Sequence, residues 1–313
     1  MRRLRLVPDD TKIPFFRYRW IAFVWSFVVL LATVVLVATV GLNLGIDFKG
    51  GILLEVRTPQ PADLARMRAA LGRLDFSDVA LQDAGSDRDV LIRVALPEGG
   101  AEAQRLAIER IKAELEQTIG PGIDYRRAEF VGPRVSRELL VGGIYAVIIS
   151  LVGVLVYLWF RFEWQYGIGA LASLLHDVSA AIGLYAVTQI EFNLASLAAL
   201  LTIVGYSLND TVVIYDRVRE NLRKFKTMPI EQLLDRSINE TLGRTLSTSL
   251  TTLLALLALF AIGGEVIRGF TIVMIFGVFV GTYSTIYIAT PILYYFKIRP
   301  TAAAPVAAGQ AAR

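Results

Sequence analysis

The chain has 313 residues, of which 55% are hydrophobic and 19% are charged, and its formal net charge is +4. It contains no cysteine and one histidine, which excludes a disulfide framework, thiolate catalysis and a multi-His zinc site. Because the apolar residues come in long blocks with basic residues at the block edges, the composition predicts a multi-span membrane protein and disfavours nucleic-acid binding.

The first apolar block covers residues 20–41. At about 1.5 Å per residue, a helix of this length crosses a hydrocarbon core of about 30 Å. The block is longer than the roughly 7–15 residues of a signal-peptide core, and no small-residue cleavage motif follows it, so we expect a retained transmembrane helix. The basic segment before it, residues 1–19, is predicted to be cytoplasmic.

Residues 42–137 differ in composition, with polar residues and turn formers throughout. Alternation of β-branched residues, as at Val90, Ile92 and Val94, predicts strands, and apolar residues at helical spacing predict two helices. The resulting order, βαββαβ, is typical of a ferredoxin-like α+β domain. The predicted elements are a strand at 51–57, a helix at 61–74, strands at 77–82 and 89–95, a helix at 101–119 and a strand at 123–131.

Five further apolar blocks follow within a predicted transmembrane domain at residues 138–298. The predicted fold class is therefore an α-helical membrane protein of six transmembrane helices, with the ferredoxin-like domain inserted between helices 1 and 2. A GxxxG pair in the last block, Gly277 and Gly281, predicts close helix packing. The five blocks cover residues 139–159, 166–187, 194–215, 245–263 and 270–294.

The distribution of Lys and Arg sets the expected orientation. Basic residues are dense before the first block, in the segment 216–244 between the fourth and fifth blocks, and after the last block. The positive-inside rule therefore predicts cytoplasmic termini, a cytoplasmic loop at 216–244 and an extracytoplasmic domain at 42–137. Residues 299–313 are predicted to form a disordered cytoplasmic tail, because their composition is of low complexity.

The fourth block carries an acid, Asp210, in its inner half. Inserting a charged side chain at bilayer depth costs about 2.5–3.5 kcal/mol on insertion scales, so we expect such a residue to be paired with another group or to have a function. The hydroxyls of Tyr206 and Ser207 are expected to bond it from one turn back, with Asn209 beside it. One interpretation is a carboxylate that faces a polar path and handles protons; the other is a carboxylate that snorkels or is capped by a neighbouring helix.

The third block carries His176 and Asp177 near the midplane of the membrane. An unperturbed histidine titrates near pH 6.5, at about the value that suits proton handling. Adjacent residues on a helix point about 100° apart, so we expect these two side chains not to bond each other. A proton-handling pair and a polar pair that holds two helices together remain equal alternatives.

Arg244 directly precedes the fifth block, and Thr248 and Thr252 follow it at helical spacing. Such a hydroxyl stripe either packs against a polar helix face or lines water. Arg244 keeps its charge and is the natural counter-charge for Asp210, the alternative being an ordinary interfacial arginine. A helix shift that brings Arg244 to Asp210 keeps the acid ionised, and their separation lets it take up a proton, which is a minimal proton-coupled machine.

Five stretches, in order along the chain, give a more specific signal than any single residue. With the arrangement of one span, a small domain and five spans, they resemble the SecF family, the smaller half of bacterial SecDF protein-export complexes and part of the resistance–nodulation–division transporter superfamily. The stretches are GIDFKGG at 45–51, VGPRVSREL at 131–139, LLHDV at 174–178, GYSLNDTVVIYDRVREN at 205–221 and INETLGRTLSTSLTT at 238–252.

The resemblance implies a multi-pass protein of the bacterial inner membrane that pairs with SecD and associates with the SecYEG channel, with YajC and YidC as further candidate partners. It implies that the proton gradient drives export of unfolded polypeptide, with H⁺ as the coupling ion, Na⁺ as the alternative, and no cofactor or metal. The proton-coupling acid falls on Asp210 and its basic partner on Arg244, while SecD supplies a second acid. The candidate polar relay consists of Tyr206, Ser207, Asn209, His176, Asp177 and Thr248.

Other functions stay open. Half of a drug or lipid exporter usually has larger outer domains than these roughly 90 residues. An intramembrane hydrolase using His176 and Asp177 lacks an accompanying nucleophile motif, so we expect no enzyme. A structural scaffold is the third alternative. The glycine-rich GIDFKGG lacks the spacing of a phosphate loop, so its glycines are expected to permit tight turns, with Asp47 and Lys49 anchoring the outer domain.

Overall fold

The computed structural model describes residues 7–8, 11–74, 76, 79–83, 86–95, 100–296 and 298, and the predicted disordered tail lies outside them. The described chain is mostly helical, with one small sheet. A 3-10 turn, Phe15–Tyr18, leads into the first helix, and a π-helical turn, Thr285–Ala289, separates the last two. The other elements are α1 (Arg19–Thr39), α2 (Ile46–Lys49), β1 (Gly51–Arg57), α3 (Leu64–Leu71), β2 (Val79–Asp83), β3 (Asp89–Val94), α4 (Gly100–Ile119), β4 (Asp124–Val131), α5 (Pro133–Arg161), α6 (Trp164–Thr188), α7 (Leu194–Lys224), α8 (Ile230–Ile262), α9 (Glu265–Ser284) and α10 (Thr290–Tyr295).

Six segments of the described chain are long and apolar enough to cross a membrane, which confirms the predicted number. The spans formed by α6, α7 and α9 are the most buried, whereas α1, α5 and α8 expose much of their apolar surface, as at Phe160 and Ile149 on α5. Apolar surface of this extent fits contact with lipid or with another membrane subunit. The six segments are Phe15–Thr39, Pro133–Arg161, Trp164–Thr188, Leu194–Lys224, Ile230–Ile262 and Ile267–Tyr295.

The four strands form one antiparallel sheet in the order β2-β3-β1-β4. Because successive strand residues point to opposite faces, one apolar face of the sheet packs on α3 and α4. α3 begins three residues later than the predicted helix at 61–74, since the Asp63 side chain caps it by accepting a hydrogen bond from Arg66 N at 3.0 Å. The fully buried residues of this core are Ile52, Leu54, Val56, Met67, Leu71, Val90, Ile92, Ile111 and Leu115.

The sheet domain is tied to the N-terminus of α7, the helix that carries Asp210. Asp47 Oδ2 accepts a hydrogen bond from Leu194 N at 2.9 Å, and Arg93 of β3 forms an ion pair with Glu191 at 3.0 Å. Burial raises the pKa of Glu191, and the Arg93 charge partly offsets that effect. Asp47 therefore anchors the domain at a helix end, where a carboxylate is favoured.

Two glycines that end the GIDFKGG stretch adopt positive φ, as the expectation of tight turns requires. Gly50 has φ +76°, and Gly51 has φ +141°. A Cβ on Gly51 would lie 2.8 Å from the carbonyl oxygen of Val94. A side chain at this position would therefore disturb the pairing of β1 with β3.

The segment 216–244, predicted to connect two spans on the cytoplasmic side, is mostly helical. α7 continues to Lys224 and α8 begins at Ile230, so a short turn joins two long helices. The two extensions pack against each other, and Asn221 Nδ2 donates to Ser237 Oγ at 3.0 Å. The change from apolar to charged residues marked where the apolar blocks end, but a helix continues until caps and turn formers stop it.

Candidate functional site

Asp210 lies on α7 with 3% of its surface exposed. α7 starts with a capping box, in which Asn193 Oδ1 accepts from Ser196 N and Ser196 Oγ accepts from Asn193 N. Leu194 is the first residue of the helix, so Asp210 lies 16 residues, or about 24 Å along the helix axis, from its start. Among the described residues, Asp210 Oδ2 has no hydrogen-bond partner.

Among the described residues, Asp210 accepts one hydrogen bond, which is long and whose donor has a second acceptor within reach. Thr248 Oγ1 on α8 lies 3.4 Å from Asp210 Oδ1, at the weak end of the usual range. The hydroxyl has one proton to donate, and the carbonyl oxygen of Thr245 competes for it at 2.8 Å. Asp210 is therefore a buried carboxyl group with little fixed support.

Arg244 does not form the predicted contact with Asp210. Its side chain is exposed on α8, one turn before Thr248, and within the described part of the chain Asp210 forms no ion pair. α8 nevertheless faces α7 through Thr248, so both charges belong to the same helix interface.

The other hydroxyls expected to support Asp210 bond elsewhere. Tyr206 OH donates to Ser249 Oγ at 3.1 Å, and Ser207 Oγ donates to Asp177 Oδ2 at 2.6 Å. Asn209 is exposed. The expectation was wrong for Ser207 because residues three apart on a helix differ by about 60° in direction, which turns Ser207 towards α6 and Asp210 towards α8.

Asp177 of α6 is the centre of a second polar cluster, and its side chain is fully buried. Its Oδ2 accepts hydrogen bonds from Ser207 Oγ on α7 at 2.6 Å and from Ser284 Oγ on α9 at 2.8 Å. Ser173 Oγ donates to Ser284 Oγ at 2.8 Å. This carboxyl group therefore joins three helices, whereas the structural alternative expected a polar pair between two.

His176 and Asp177 contact each other, which corrects the expectation that neighbours on a helix would not. His176 Nδ1 lies 3.2 Å from Asp177 Oδ1, because the rotations within the two side chains close the angle between their Cβ directions. His176 Nε2 is buried with no partner among the described residues. In a hydrolytic triad the histidine bridges serine and acid, whereas here Asp177 stands between Ser207 and His176.

A π-helical turn lies beside the same part of α7. Thr211, the residue after Asp210, pairs with Thr285 at 2.9 Å between their hydroxyl oxygens. Tyr215 OH donates to the carbonyl oxygen of Ala289 at 3.1 Å. The side of α7 that faces α9 is thus held by hydroxyl contacts, and π-helical turns often occur at functional sites.

Sequence reasoning missed Ser173, Ser284 and Thr285. The available signal was the small-residue face of the last span, where Gly277, Gly281 and Ser284 recur at spacings of four and three. A Cβ on Gly281 would lie 3.1 Å from Ser207 Cβ, so the close packing predicted for this face brings Ser284 within reach of Asp177.

The two acids lie apart from the cleft that the structure contains. Among the described residues, no group of three His, Asp or Glu side chains could hold a metal ion. A cleft of about 540 Å³ lies between the sheet and the α6–α7 turn, and its lining includes neither Asp210 nor Asp177. The two acids are thus buried in helix interfaces.

Comparison with protein families gives two matches along the chain. Residues 111–299 match the family model described as protein export membrane protein SecD/SecF, C-terminal. Residues 35–62 match the SecD/SecF GG motif, which includes the two positive-φ glycines. The first match contains both acids and the π-helical turn.

Curated relatives and solved structures agree with these matches. The chain is 45% identical to protein translocase subunit SecF of Rickettsia akari, covering 95% of this chain and 96% of the relative. It is 43% identical to that of Rhodobacter capsulatus, covering 95% and 92%. The crystal structure of SecDF, a translocon-associated membrane protein from Thermus thermophilus, matches with a TM-score of 0.80 and 33% identity, over 93% of this chain and 39% of that chain. This chain thus spans well under half of the solved SecDF chain.

Proposed function

The chain belongs to the SecF family of protein translocase subunits, and on that premise we propose that it works with SecD to couple the proton-motive force to polypeptide export across the bacterial inner membrane. The observation that carries the proposal is Asp210, a buried carboxyl group that, among the residues the structure describes, has one weak hydrogen bond and an oxygen without a partner. A group that must gain and lose a proton needs an environment that holds neither form firmly.

The proposed cycle uses the interface between α7 and α8. With Arg244 exposed and separate from it, Asp210 carries a proton. A relative movement of the two helices brings the guanidinium group of Arg244 to Asp210, and the proton leaves. One elementary charge moved through 100 mV yields about 2.3 kcal/mol, which is enough to bias such a movement.

Partners and orientation form part of the same proposal. The coverage of 39% of the solved SecDF chain supports a SecD-like partner, and we infer from the family resemblance that this partner supplies a second acid. The exposed apolar surface of α8, with Leu246, Leu250, Leu254 and Leu257, supports a membrane partner beside Arg244. We further infer association with SecYEG, with YajC and YidC as candidates, and a non-catalytic role.

The sheet domain is inferred to be ferredoxin-like and extracytoplasmic, with both termini in the cytoplasm. The sheet order β2-β3-β1-β4, with a helix after β1 and another after β3, supports the βαββαβ assignment. The many basic residues in the segment 216–244, where α7 and α8 meet, support the orientation.

Export into inverted membrane vesicles tests the proposal. We expect Asp210→Asn to abolish the part of export that a proton ionophore removes from wild-type vesicles. Asp216→Asn is the matched control, because Asp216 lies on the same helix in an exposed ion pair with Arg161 and should leave export unchanged.

Collapsing the sodium gradient separately identifies the ion, and only the proton gradient should matter. Normal gradient-dependent export by Asp210→Asn, at wild-type protein levels, would refute the proposal and leave a structural scaffold as the better account.

A further inference from the structure

A buried polar cluster beside Asp210 has no part in the proton cycle proposed above. Asp177 accepts two short hydrogen bonds on one oxygen, from Ser207 and Ser284, and its other oxygen contacts His176. Its side chain has no exposed surface. One carboxylate oxygen can accept two hydrogen bonds, and its negative charge strengthens both.

The partners of Asp177 stand next to Asp210 in the chain. Ser207 precedes Asp210 by three residues, and Thr211 follows it directly. Ser207 bonds Asp177 on α6, while the Thr211 hydroxyl pairs with that of Thr285 on the π-helical turn. One helical turn of α7 is therefore fixed at both ends, by contacts with α6 and with the π-helical turn. Asp210 lies on the other side of this turn and faces α8.

Packing leaves this turn little freedom to shift. A Cβ on Gly281 would lie 3.1 Å from Ser207 Cβ, and one on Gly277 would overlap the side chain of Ile203. Helices this close transmit small displacements, because densely packed interiors do not deform continuously.

We propose that Asp177 is a positioning residue. Through Ser207 and Ser284 it holds the turn of α7 that carries Asp210, so that Asp210 stays next to α8, where it can gain and lose its proton. The inference rests on the proposed function of Asp210. Asp177 keeps its hydrogen bonds throughout the cycle and carries no transported proton. The groups that face Asp177 are His176 on its own helix, Ser207 on α7 and Ser284 on α9.

Carbodiimide labelling of the full chain in its native membrane, mapped by mass spectrometry, tests the role of each acid. The reagent adds to a protonated carboxyl group within a membrane. We expect labelling at Asp210 and none at Asp177. In Ser207→Ala and Ser284→Ala, labelling of Asp210 should slow about tenfold, equivalent to about 1.4 kcal/mol, because water reaching the loosened turn favours the unreactive ionised form.

Thr202→Ala is the matched control, since Thr202 is exposed on α7 and its hydroxyl bonds only the Ala198 carbonyl. If Ser207 acts through Asp177, the Ser207→Ala effect should vanish in an Asp177→Ala background, which has no acceptor for Ser207, whereas independent losses of stability would add.

Three results overturn the inference. Labelling at Asp177 would make it a proton carrier, and wild-type labelling rates at Asp210 in both serine variants would remove its positioning role. Additive effects of Ser207→Ala and Asp177→Ala would do the same. Absence of labelling at Asp210 in the wild type would instead refute the proposed function itself, and with it this inference.

Discussion

Two aspartates lie within the spans of this protein, Asp177 on α6 and Asp210 on α7, and Ser207 of α7 donates a hydrogen bond to the first. The two side chains differ in how fully they are hydrogen-bonded. Asp177 has hydrogen-bond donors on two helices at 2.6 and 2.8 Å. Asp210 has one contested contact at 3.4 Å and an oxygen without a partner among the described residues. Hydrogen bonds thus offset the free-energy cost of burying the acid at Asp177, whereas at Asp210 most of that cost is not offset.

The difference separates two uses of the same side chain. A fully bonded acid fixes the relative positions of helices, and changing its protonation would break those bonds. A weakly bonded acid costs stability in either form and can change form easily, as a coupling group must. Neutralising Asp177 should therefore lower stability strongly. Neutralising Asp210 should leave stability almost unchanged and abolish gradient-driven export.

The largest expected effect on stability is that of Asp177→Asn. The neutral amide would replace two charge-assisted hydrogen bonds by two weaker neutral ones, so we expect the free energy of unfolding to fall by about 2–3 kcal/mol. Asp210→Asn should change it by less than about 0.5 kcal/mol or raise it, because little bonding is lost. Thermal unfolding of both variants in lipid measures the contrast, and equal destabilisation would erase the distinction between the sites.

Gly281→Ala tests whether close packing supports the Asp177 cluster. The new methyl group would press on Ser207, and we expect a loss of about 1–3 kcal/mol with weaker gradient-driven export. Gly142→Ala on α5 is the control, because nothing lies within 4 Å of a Cβ there. Export and unfolding of the two variants should differ clearly, and matching behaviour would show that α9 can move aside.

Tyr215→Phe sharpens the account of the π-helical turn. It leaves the Ala289 carbonyl without its hydroxyl donor, so we expect a loss of about 1 kcal/mol and a modest decrease in export. Tyr157→Phe, at a half-exposed position on α5, should have no effect on either thermal unfolding or export. A silent Tyr215→Phe would mean that the turn needs no support from α7.

The smallest effect concerns an acid outside the membrane. Hydrogen bonds from Arg57 lower the pKa of Asp89 in the sheet domain to about 2. Since the folded-state pKa is lowered, its stabilising contribution is present above the unfolded value of about 4 and is lost as pH falls towards 2. Hydrogen exchange of β3 should therefore differ between wild type and Asp89→Asn at pH 5 and converge near pH 2. A constant difference would contradict this assignment.

Most of the architecture could be predicted from the sequence. Apolar blocks gave the six long helices because a bilayer requires that length, and β-branched alternation located β1 and β3. The helix ends within the segment 216–244 could not be predicted, because charge reports where a helix leaves an apolar environment, whereas capping and tertiary contacts such as Asn221 with Ser237 decide where it ends.

The site was predictable in its residues but only partly in its contacts. Asp210, His176 and Asp177 stood out because charge at membrane depth is costly. The direction of Ser207 depends on which helix packs against it, and that follows from Gly281 on a distant segment. No spacing rule within α7 contains this information, so Ser207 was assigned to the wrong acid.

Infrared difference spectroscopy of the protein in lipid, across a pH change, tests the central claim most directly. The carbonyl stretch of a protonated carboxylic acid should appear and disappear with pH, vanish in Asp210→Asn and persist in Asp216→Asn. Asp177→Asn should keep the band while altering its position, since Asp177 holds the turn that carries Asp210. A band that Asp177→Asn removes and Asp210→Asn retains would contradict the assignment of the two acids.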